Sequence, residues 1–241
     1  MKALVIGVGE VGAALVEVLG SSHDVVGFDF KDRAALPNPD SSFEVLNVAF
    51  PWSEHFVERV QAYQYAYQPR ATIIHSTVPV GTTRKIGGAS AHSPVIGVHP
   101  RLAEGLRTFV KYVGGLDEDT TRLAYRFLAE AGLPVCAVPN PETSELSKLL
   151  CTALYAWNII ACKEAKAICD EHGVAFEDVY RTWTALYNQG YAALGMPHVA
   201  RPILEPAPGP LGGHCIIPNA RLLDSWLTRT ILYRNRTYGD E

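Results

Sequence analysis

Two glycine-rich stretches contain the residues of this sequence that are best suited to chemistry. The first, GVGEVG, follows an apolar run near the N-terminus and consists of Gly7, Val8, Gly9, Glu10, Val11 and Gly12. The second, GPLGGHC, covers residues 209–215 and ends in Cys215. Closely spaced glycines let a backbone approach phosphate groups, and a cysteine thiolate is a strong nucleophile. The two stretches therefore predict a dinucleotide site and a candidate nucleophile, although Cys215 in a glycine turn can also be a packing residue.

The GVGEVG stretch has the spacing of a dinucleotide-binding turn. It lies between a predicted strand over 3–7 and a predicted helix over 11–20. In such a turn Gly7 permits the tight bend, Gly9 lets the backbone approach a pyrophosphate, and Gly12 lets helix and strand pack closely. The helix N-terminus then faces the phosphate charge. A glycine turn without a ligand is the alternative.

An acidic residue at the end of the second predicted strand favours NAD as the cofactor. Asp29 follows the first glycine by roughly 20 residues, as the carboxylate that meets the adenine ribose does in this pattern. A carboxylate at that place repels a ribose 2′-phosphate, which favours NAD over NADP. Lys31 and Arg33 lie nearby and leave NADP open.

The elements around the first stretch predict an α/β fold. Predicted strands cover residues 3–7, 24–29, 44–50, 71–77, 95–99 and 133–138. Predicted helices lie near 11–20, 53–66, 81–89 and 117–131. This alternation predicts a Rossmann-type, doubly wound parallel sheet over residues 1–138.

The remaining residues, 139–241, are predicted to form a small all-helical domain built on a long central helix. A run from Glu142 to about His172 contains neither Gly nor Pro, and Gly173 follows it. Such a run predicts a helix of roughly 30 residues, about 45 Å long. Further helices are predicted near 176–187 and 219–232.

The long helix also predicts a homodimer through residues 142–190. Trp157, Ile160 and Ala161 lie near one another on it and are expected at the interface. The alternative is that this face packs on its own α/β domain. The apolar residues Trp183, Tyr187, Tyr191 and Met196 are expected either to line a substrate pocket or to belong to the core.

Composition and charge argue against several classes of protein. The 241 residues carry a formal net charge of −4, which does not support a nucleic-acid partner. The longest apolar runs are too short to predict a membrane span, and the N-terminal run is expected to be a buried strand. Five cysteines without a CxxC pair predict free thiols in a reducing cytoplasm. The dipeptide His214-Cys215 is too weak a signal to predict a metal site.

Four stretches resemble, in order, the UDP-glucose/GDP-mannose dehydrogenase family. They are HSTVPVGTT over 75–83, RLAEG over 101–105, the helix 142–174 with Lys148, and GPLGGHC over 209–215. The resemblance runs through the full chain. It implies an NAD-dependent dehydrogenase that oxidises the C6 alcohol of a sugar to a carboxylate with two NAD. The expected short form lacks the family's C-terminal nucleotide-sugar-binding domain.

The resemblance also implies roles for individual residues. Cys215 would capture the intermediate aldehyde as a thiohemiacetal, and a second hydride transfer would give a thioester that water hydrolyses. Lys148 would stabilise an alkoxide or oxyanion, unless it is a solvated lysine paired with Glu145. The residues expected beside the nicotinamide and in the next loop are Ser76, Thr77 and Glu104, and those expected beside the substrate are Gly212 and Gly213.

Neighbouring residues in the two motifs are expected to contribute less to the chemistry. In an extended segment the side chains of His214 and Cys215 diverge, so His214 is a poor partner for the thiol. Cys151, Cys162 and Cys169 are predicted to be packing residues of the helix.

Three positions depart from the family pattern. Thr152 stands where the family usually has Asn, Asn219 where it has Asp, and Arg101 where it has Glu. An asparagine cannot act as a general base, so the hydrolytic half of the reaction is in question. Arg101 is suited to bind a substrate carboxylate or phosphate instead. The expected substrate is therefore a small molecule, either anionic or a sugar derivative.

Three functions follow from these observations. The leading hypothesis is an NAD-dependent oxidoreductase that oxidises an alcohol, with Cys215 as nucleophile and Lys148, Thr152 and Asn219 beside it. The first alternative is a two-electron β-hydroxyacid-type dehydrogenase that uses Lys148 without covalent catalysis. The second alternative is a non-catalytic NAD-binding protein on a decayed dehydrogenase scaffold.

Overall fold

The chain divides into two units, Met1–Lys148 and Leu149–Glu241. The computed structural model describes residues 1–30, 37–38, 41–213 and 215–239. Lys31, Arg33 and His214, which entered the sequence predictions, lie outside the described residues. The division falls inside the long helix, whereas the predicted domain boundary after residue 138 precedes that helix.

The first unit is built around a seven-stranded sheet. Its strands are β1 (Lys2–Ile6), β2 (Asp24–Phe28), β3 (Val45–Val48), β4 (Ala71–Ile74), β5 (Ser90–His92), β6 (Lys111–Gly115) and β7 (Val135–Ala137). They lie in the order β2-β1-β3-β4-β5-β6-β7. The pairs from β2 to β5 are parallel, β6 is antiparallel to β5, and β7 is parallel to β6. The sheet is therefore mostly parallel.

Helices cover both faces of this sheet. They are α1 (Glu10–Leu19), α2 (Phe56–Tyr67), α3 (Thr82–Ile86), α4 (Leu102–Thr108) and α5 (Glu118–Glu130). In β1, Ala3 and Val5 belong to the core that includes residues of α1, α4 and α5. Leu4 and Ile6 belong to the opposite core, which includes residues of α2 and α3. Alternate residues of one strand thus reach two cores, as expected for a strand buried on both faces. The predicted Rossmann-type, doubly wound sheet is confirmed.

One predicted strand is wrong, and two strands escaped prediction. Residues 95–99 are not a strand, because Pro94 and Pro100 flank them and Ile96 and Val98 are exposed. The strand that pairs with β4 is β5, whose residues Ser90, Ala91 and His92 are all buried. Two of its three side chains are polar, so hydrophobic patterning could not find it. The other missed strand is β6, which begins at the buried Lys111.

The RLAEG stretch is also not a loop. Residues 102–108 form α4, with Gly105 inside the helix. A Cβ atom on Gly105 would lie 2.8 Å from the Cα of Gly97, so the glycine permits a close approach of two backbones. A loop was expected here because the stretch resembles a loop of the dehydrogenase family.

A 31-residue helix, α6 (Pro141–Glu171), begins in the first unit and continues through the second. The described part of the second unit contains helices and no strand: after α6 come a π-helical turn (Glu177–Thr182), α7 (Trp183–Ala193), a 3-10 turn (Pro197–Val199), α8 (Ile216–Ala220) and α9 (Trp226–Thr237). Instead of a single final helix over 219–232 there are two, because Ser225 forms a capping box with Thr228 and starts α9 afresh.

The core of the second unit forms where α6 meets α8, α9 and the loop before α8. Ala156 and Ile160 of α6 lie in one cluster with Leu211, Ile216 and Ile231. Ile160 was expected at a subunit interface, but it is buried in its own unit and is not available to a partner. On the same helix Ala161 is exposed.

Candidate functional site

The glycine turn after β1 has the geometry that a dinucleotide requires. Gly7 has a φ of +91°, and a Cβ on it would lie 2.7 Å from the backbone nitrogen of Phe50. A Cβ on Gly12 would lie 1.9 Å from the carbonyl oxygen of Gly7. Both glycines are therefore required by the fold. A Cβ on Gly9 meets nothing within 4 Å, so the space in front of this glycine is open.

The open space lies at the N-terminus of α1. Gly9 is the N-cap of this helix and has no side chain to cap the first N–H groups, which carry partial positive charge. Glu10 begins the helix, and its carboxylate is paired with His99 Nδ1 at 3.0 Å. Val8 and Val11 flank the turn and are half-buried. The turn can thus receive a phosphate group, and the residues present fit a dinucleotide.

Asp29 lies beside the glycine turn at the same edge of the sheet. β1 and β2 run in parallel with Ile6 opposite Phe28, so both strands end side by side. The backbone N–H of Gly7 donates to the carbonyl of Phe28 at 2.8 Å, one residue before Asp29. The structure therefore brings the predicted ribose-binding carboxylate and the glycine turn together.

Ser76 and Thr77 follow the end of β4, which lies on the other side of β3 from the glycine turn. The Ser76 hydroxyl donates to the carbonyl of Phe50 at 2.6 Å and is buried. Thr77 is half-buried. The Ser76 side chain therefore holds the loops after β3 and β4 together, and its backbone is the part that can face a ligand.

The start of α6 contains Glu145, whose buried carboxylate was not expected to have partners in the segment after β4. Its Oε2 accepts a hydrogen bond from Gly81 N at 2.6 Å, and its Oε1 accepts from Thr83 N at 2.8 Å and Thr83 Oγ1 at 2.7 Å. Burial raises the pKa of Glu145, and the hydrogen bonds from Thr83 and Gly81 act in the opposite direction. Lys148, one turn further along α6, is half-buried, so it is not the fully solvated lysine that the alternative required.

His92 connects α6 to the residues after β4. Burial lowers the pKa of His92 to about 3, so the ring is neutral near neutral pH. Its Nε2 lies 3.2 Å from the carbonyl of Ser76 and must donate, which leaves Nδ1 to accept from the Ser144 hydroxyl at 2.7 Å. A neutral histidine can satisfy both partners.

Lys111 is a second buried basic residue in this region. Its ammonium nitrogen donates to the carbonyls of Ser93 and of Pro94, the latter at 2.8 Å. Burial lowers the pKa of Lys111 well below its usual value, and the charge of Lys148 acts in the same direction. The sequence did not reveal Lys111, His92 or Ser144 as site neighbours, because each is an isolated polar residue in a short strand or at a helix start.

Cys215 lies at the N-cap position of α8 and is exposed. Gly213, two residues earlier, has a φ of +89°, and Cβ atoms on Gly212 or Gly213 would meet nothing within 4 Å. Glycine is thus needed at 213 for the backbone conformation, and the backbone on this side of the cysteine is accessible.

The two positions that depart from the family pattern in the second unit contact each other. The Asn219 side-chain amide donates to Thr152 Oγ1 at 3.2 Å. Asn219 is buried and lies one turn after Cys215, to whose carbonyl its backbone N–H donates at 3.0 Å. The predicted association of Thr152, Asn219 and the cysteine segment is therefore present in the structure. The amide–hydroxyl pair contains no carboxylate.

Arg101 and Glu104 form an ion pair on the first turn of α4. Arg101 Nε donates to Glu104 Oε2 at 2.6 Å, and Arg101 also donates to Glu104 Oε1. The pairing lowers the pKa of Glu104 and raises that of Arg101. Both side chains are exposed, so Arg101 can bind a substrate anion only if it leaves Glu104 or binds beside it.

Other predicted neighbours have mixed locations. Trp183 and Met196 are exposed, which excludes them from the core, while the rings of Tyr187 and Tyr191 contact each other in a tilted arrangement, with centroids 4.6 Å apart. All five cysteines are free. Cys162 and Cys169 are buried as predicted, but Cys151 is exposed and is not a packing residue. Among residues 1–30, 37–38, 41–213 and 215–239, no three His, Cys, Asp or Glu side chains gather as a metal site requires. None of the helices described is long and apolar enough to span a membrane.

The relatives of this chain are dehydrogenases of nucleotide sugars. No protein-family model matches the chain. A UDP-N-acetyl-D-mannosamine dehydrogenase from Methanococcus vannielii is 27% identical over 161 residues, which are 63% of this chain and 34% of that protein. A protein of the same name from Methanococcus maripaludis is 28% identical over 153 residues, 60% of this chain and 32% of that protein. The matches thus span about a third of the length of these relatives.

Solved structures show the same fold. A UDP-D-ManNAc dehydrogenase from Pyrococcus horikoshii superposes with a TM-score of 0.80 at 20% identity, covering 99% of this chain and 69% of that one. A 3-hydroxyisobutyrate dehydrogenase from Mycobacterium tuberculosis superposes with a TM-score of 0.72 at 19% identity, covering 98% and 93%. These findings confirm the resemblance to the UDP-glucose/GDP-mannose dehydrogenase family and the Rossmann-type fold.

Proposed function

We propose that this chain, a relative of the UDP-glucose/GDP-mannose dehydrogenases, binds NAD and oxidises an alcohol group of a sugar derivative. The observation that carries the proposal is the glycine turn after β1. Gly7 and Gly12 are required for packing, whereas Gly9 leaves open space at an uncapped helix N-terminus beside Asp29. This combination is suited to a dinucleotide, because the backbone N–H groups meet the pyrophosphate and the carboxylate meets the ribose.

Several residues have distinct roles in this proposal. Val8, Gly9, Glu10 and Val11 contact the pyrophosphate side of the cofactor, and Ser76, Thr77 and Glu104 contact its nicotinamide side. NAD, when bound, accepts a hydride from the alcohol carbon. Lys148 donates hydrogen bonds to the alcohol oxygen and stabilises the alkoxide that forms as the alcohol proton passes to solvent water. Arg101 binds an anionic group of the substrate. In the second unit, the accessible backbone at Gly212 and Gly213 is a further candidate for contact with the substrate.

Cys215 is the proposed nucleophile for the aldehyde that the first oxidation produces. Its thiolate adds to the aldehyde carbon, which keeps the intermediate bound as a thiohemiacetal. The exposure of the side chain and the open backbone before it support this role. Thr152 and Asn219 hold the helix turn that carries the cysteine.

The stoichiometry of NADH tests this function. Purified protein is incubated with NAD and UDP-N-acetylmannosamine, chosen because the relatives carry that name. NADH and sugar product are then counted. Two NADH per product, falling to one or less in Cys215→Ala, is the expected result. Cys151→Ala is the matched control, since Cys151 is also exposed and free. Turnover that is unaffected by Cys215→Ala would exclude the nucleophile.

A two-electron dehydrogenase that uses Lys148 without covalent catalysis is the second candidate. The hydrogen bond from Asn219 to Thr152 favours it, because this pair has no carboxylate to activate water for thioester hydrolysis. One NADH per product in the wild type, unchanged in Cys215→Ala, supports this candidate. NADH binding without turnover of any alcohol supports a non-catalytic NAD-binding protein instead.

Asp29 is expected to determine the choice between NAD and NADP. In Asp29→Ser the repulsion of the 2′-phosphate is removed, and the preference for NADH over NADPH should fall roughly tenfold, about the effect of one charge-assisted contact. The measurement is the ratio of the two dissociation constants, determined by titration. Asp24→Ser, an exposed carboxylate at the start of the same strand, is the control. An unchanged ratio in Asp29→Ser contradicts the assignment.

Assembly and location belong to the same proposal. Exposed apolar side chains on α6, among them Leu150, Leu154 and Tyr155, support a homodimer through residues 142–190. A mass of one chain, measured by sedimentation equilibrium, would exclude the homodimer.

Five free cysteines support a cytoplasmic location.

A further inference from the structure

The first turn of α6 is linked to the β4–α3 segment, residues 75–84, by two direct contacts and by one that passes through His92. The half-buried Glu142 pairs with the exposed Arg84, with Arg84 Nε 2.5 Å from Glu142 Oε1. The other two contacts, at Ser144 and Glu145, are fully buried. Two adjacent buried polar residues on one helix turn thus hold the same stretch of chain.

The buried contact through Glu145 uses both oxygens of the carboxylate. Three donors, Gly81 N and the N–H and hydroxyl of Thr83, reach it within 2.8 Å. All three are hydrogen-bond donors, so they are satisfied by the ionised carboxylate. A buried carboxylate is costly unless it is hydrogen-bonded, and here the bonds lie entirely in the β4–α3 segment. The position of that segment therefore depends on Glu145.

The contact through Ser144 reaches the same segment at its other end. Ser144 is hydrogen-bonded to His92, and His92 donates to the carbonyl of Ser76. The backbone at Ser76 and the turn at 81–83 are consequently both tied to α6. Lys148 lies one helical turn beyond Glu145 on that helix.

The β4–α3 segment lies where the second half of a dinucleotide is expected. β3 and β4 lie on one side of β1, and β2 with Asp29 lies on the other. In open parallel sheets the ligand lies across the carboxyl ends of the strands where the chain order reverses, here between β1 and β3. With the adenosine near Asp29, the nicotinamide half lies toward the residues that follow β4.

We propose that Glu145 is a positioning residue that clamps the β4–α3 segment to α6 and thereby fixes the backbone that receives the nicotinamide half of the cofactor. The inference rests on the proposed function, because it presupposes that the glycine turn binds a dinucleotide. Glu145 itself does not touch the cofactor. Its effect should therefore be confined to the nicotinamide half and should spare the adenosine half.

Binding of two probes separates these effects. NADH contains both halves, whereas ADP-ribose lacks the nicotinamide. Glu145→Gln has the same size but replaces one acceptor oxygen by a donor, so one N–H of the turn loses its partner. NADH should then bind roughly tenfold more weakly, the usual effect of losing one charge-assisted hydrogen bond, while ADP-ribose binding stays within about twofold. Titration calorimetry measures both constants.

Two further variants complete the test. Thr83→Val removes one of the three donors and should weaken the binding of NADH by a smaller factor than Glu145→Gln does. If Glu145→Gln does not fold, the result for Thr83→Val decides whether the inference holds. Glu142→Gln removes the charge of the half-buried Glu142, which pairs with Arg84 on the same helix turn, and should change the binding of neither probe. The inference is overturned if Glu145→Gln weakens the binding of NADH and of ADP-ribose equally, or if it weakens the binding of neither. A wild-type chain that binds neither probe overturns the proposed function itself, which is a distinguishable result.

Discussion

Gly9→Val is expected to abolish dinucleotide binding while leaving the chain folded. Gly9 has a φ of −75° and a ψ of −160°, a conformation that valine adopts readily. A Cβ there meets no atom within 4 Å, so the new side chain fits the protein but occupies the space in front of the uncapped helix end. The dissociation constant for NADH should rise at least about 100-fold, equivalent to roughly 2.7 kcal/mol. The melting temperature should fall by only a few degrees.

Gly12→Ala provides the contrast that makes this result interpretable. Its Cβ would lie 1.9 Å from the carbonyl oxygen of Gly7, and backbone must move to accept it. We expect a loss of about 3 kcal/mol in the free energy of unfolding, in the range of severe overpacking. Gly190→Ala is the control, because it lies in a helix with open space and should be neutral or stabilising. If Gly9→Val binds NADH as tightly as the wild type does, the glycine turn is not the site that binds the cofactor.

Lys148→Met is expected to lower the rate of alcohol oxidation by about 10²–10⁴-fold, the usual contribution of a positioned proton-transfer or charge-stabilising group. Methionine keeps the length of the side chain and removes its charge, so packing around α6 changes little. NADH binding should stay within about twofold, because Lys148 acts on the substrate oxygen. The measurement is single-turnover NADH formation with saturating substrate.

Lys166→Met is the matched control for this variant. Lys166 lies on the same helix and pairs with Asp170 at 2.6 Å, an i,i+4 surface pair that contributes little. Its loss should leave the rate unchanged. A rate that falls less than about tenfold in Lys148→Met would show that another group stabilises the alkoxide.

The local patterns of this sequence were sufficient for the main features of the first unit. The GVGEVG turn, the strand before it and the helix after it were predicted correctly, because close backbone packing restricts positions 7 and 12 to glycine. The long helix was likewise predicted within one residue at its start, since a run without Gly or Pro followed by Gly173 has one regular structure available.

Polar residues in buried positions were beyond the reach of the sequence. β5 is made of Ser90, Ala91 and His92, and burial of such residues depends on partners distant in the chain. Likewise, Glu145 looked like an i−3 neighbour of Lys148, yet its oxygens are bound by residues more than 60 positions earlier. Pattern and propensity describe neighbours along the chain, whereas these hydrogen bonds exist only once the sheet has formed.

The sequence by itself determined the glycine turn, the acidic residue after β2, the long helix and the cysteine segment, because each depends on local backbone geometry or on residue type. The tertiary structure decided how these parts are held. It paired Asn219 with Thr152 and enclosed Glu145 and His92 in contacts with the segment after β4. Those contacts join residues far apart in the chain. Burial makes their hydrogen bonds obligatory, and no local stretch of sequence specifies which groups are buried together.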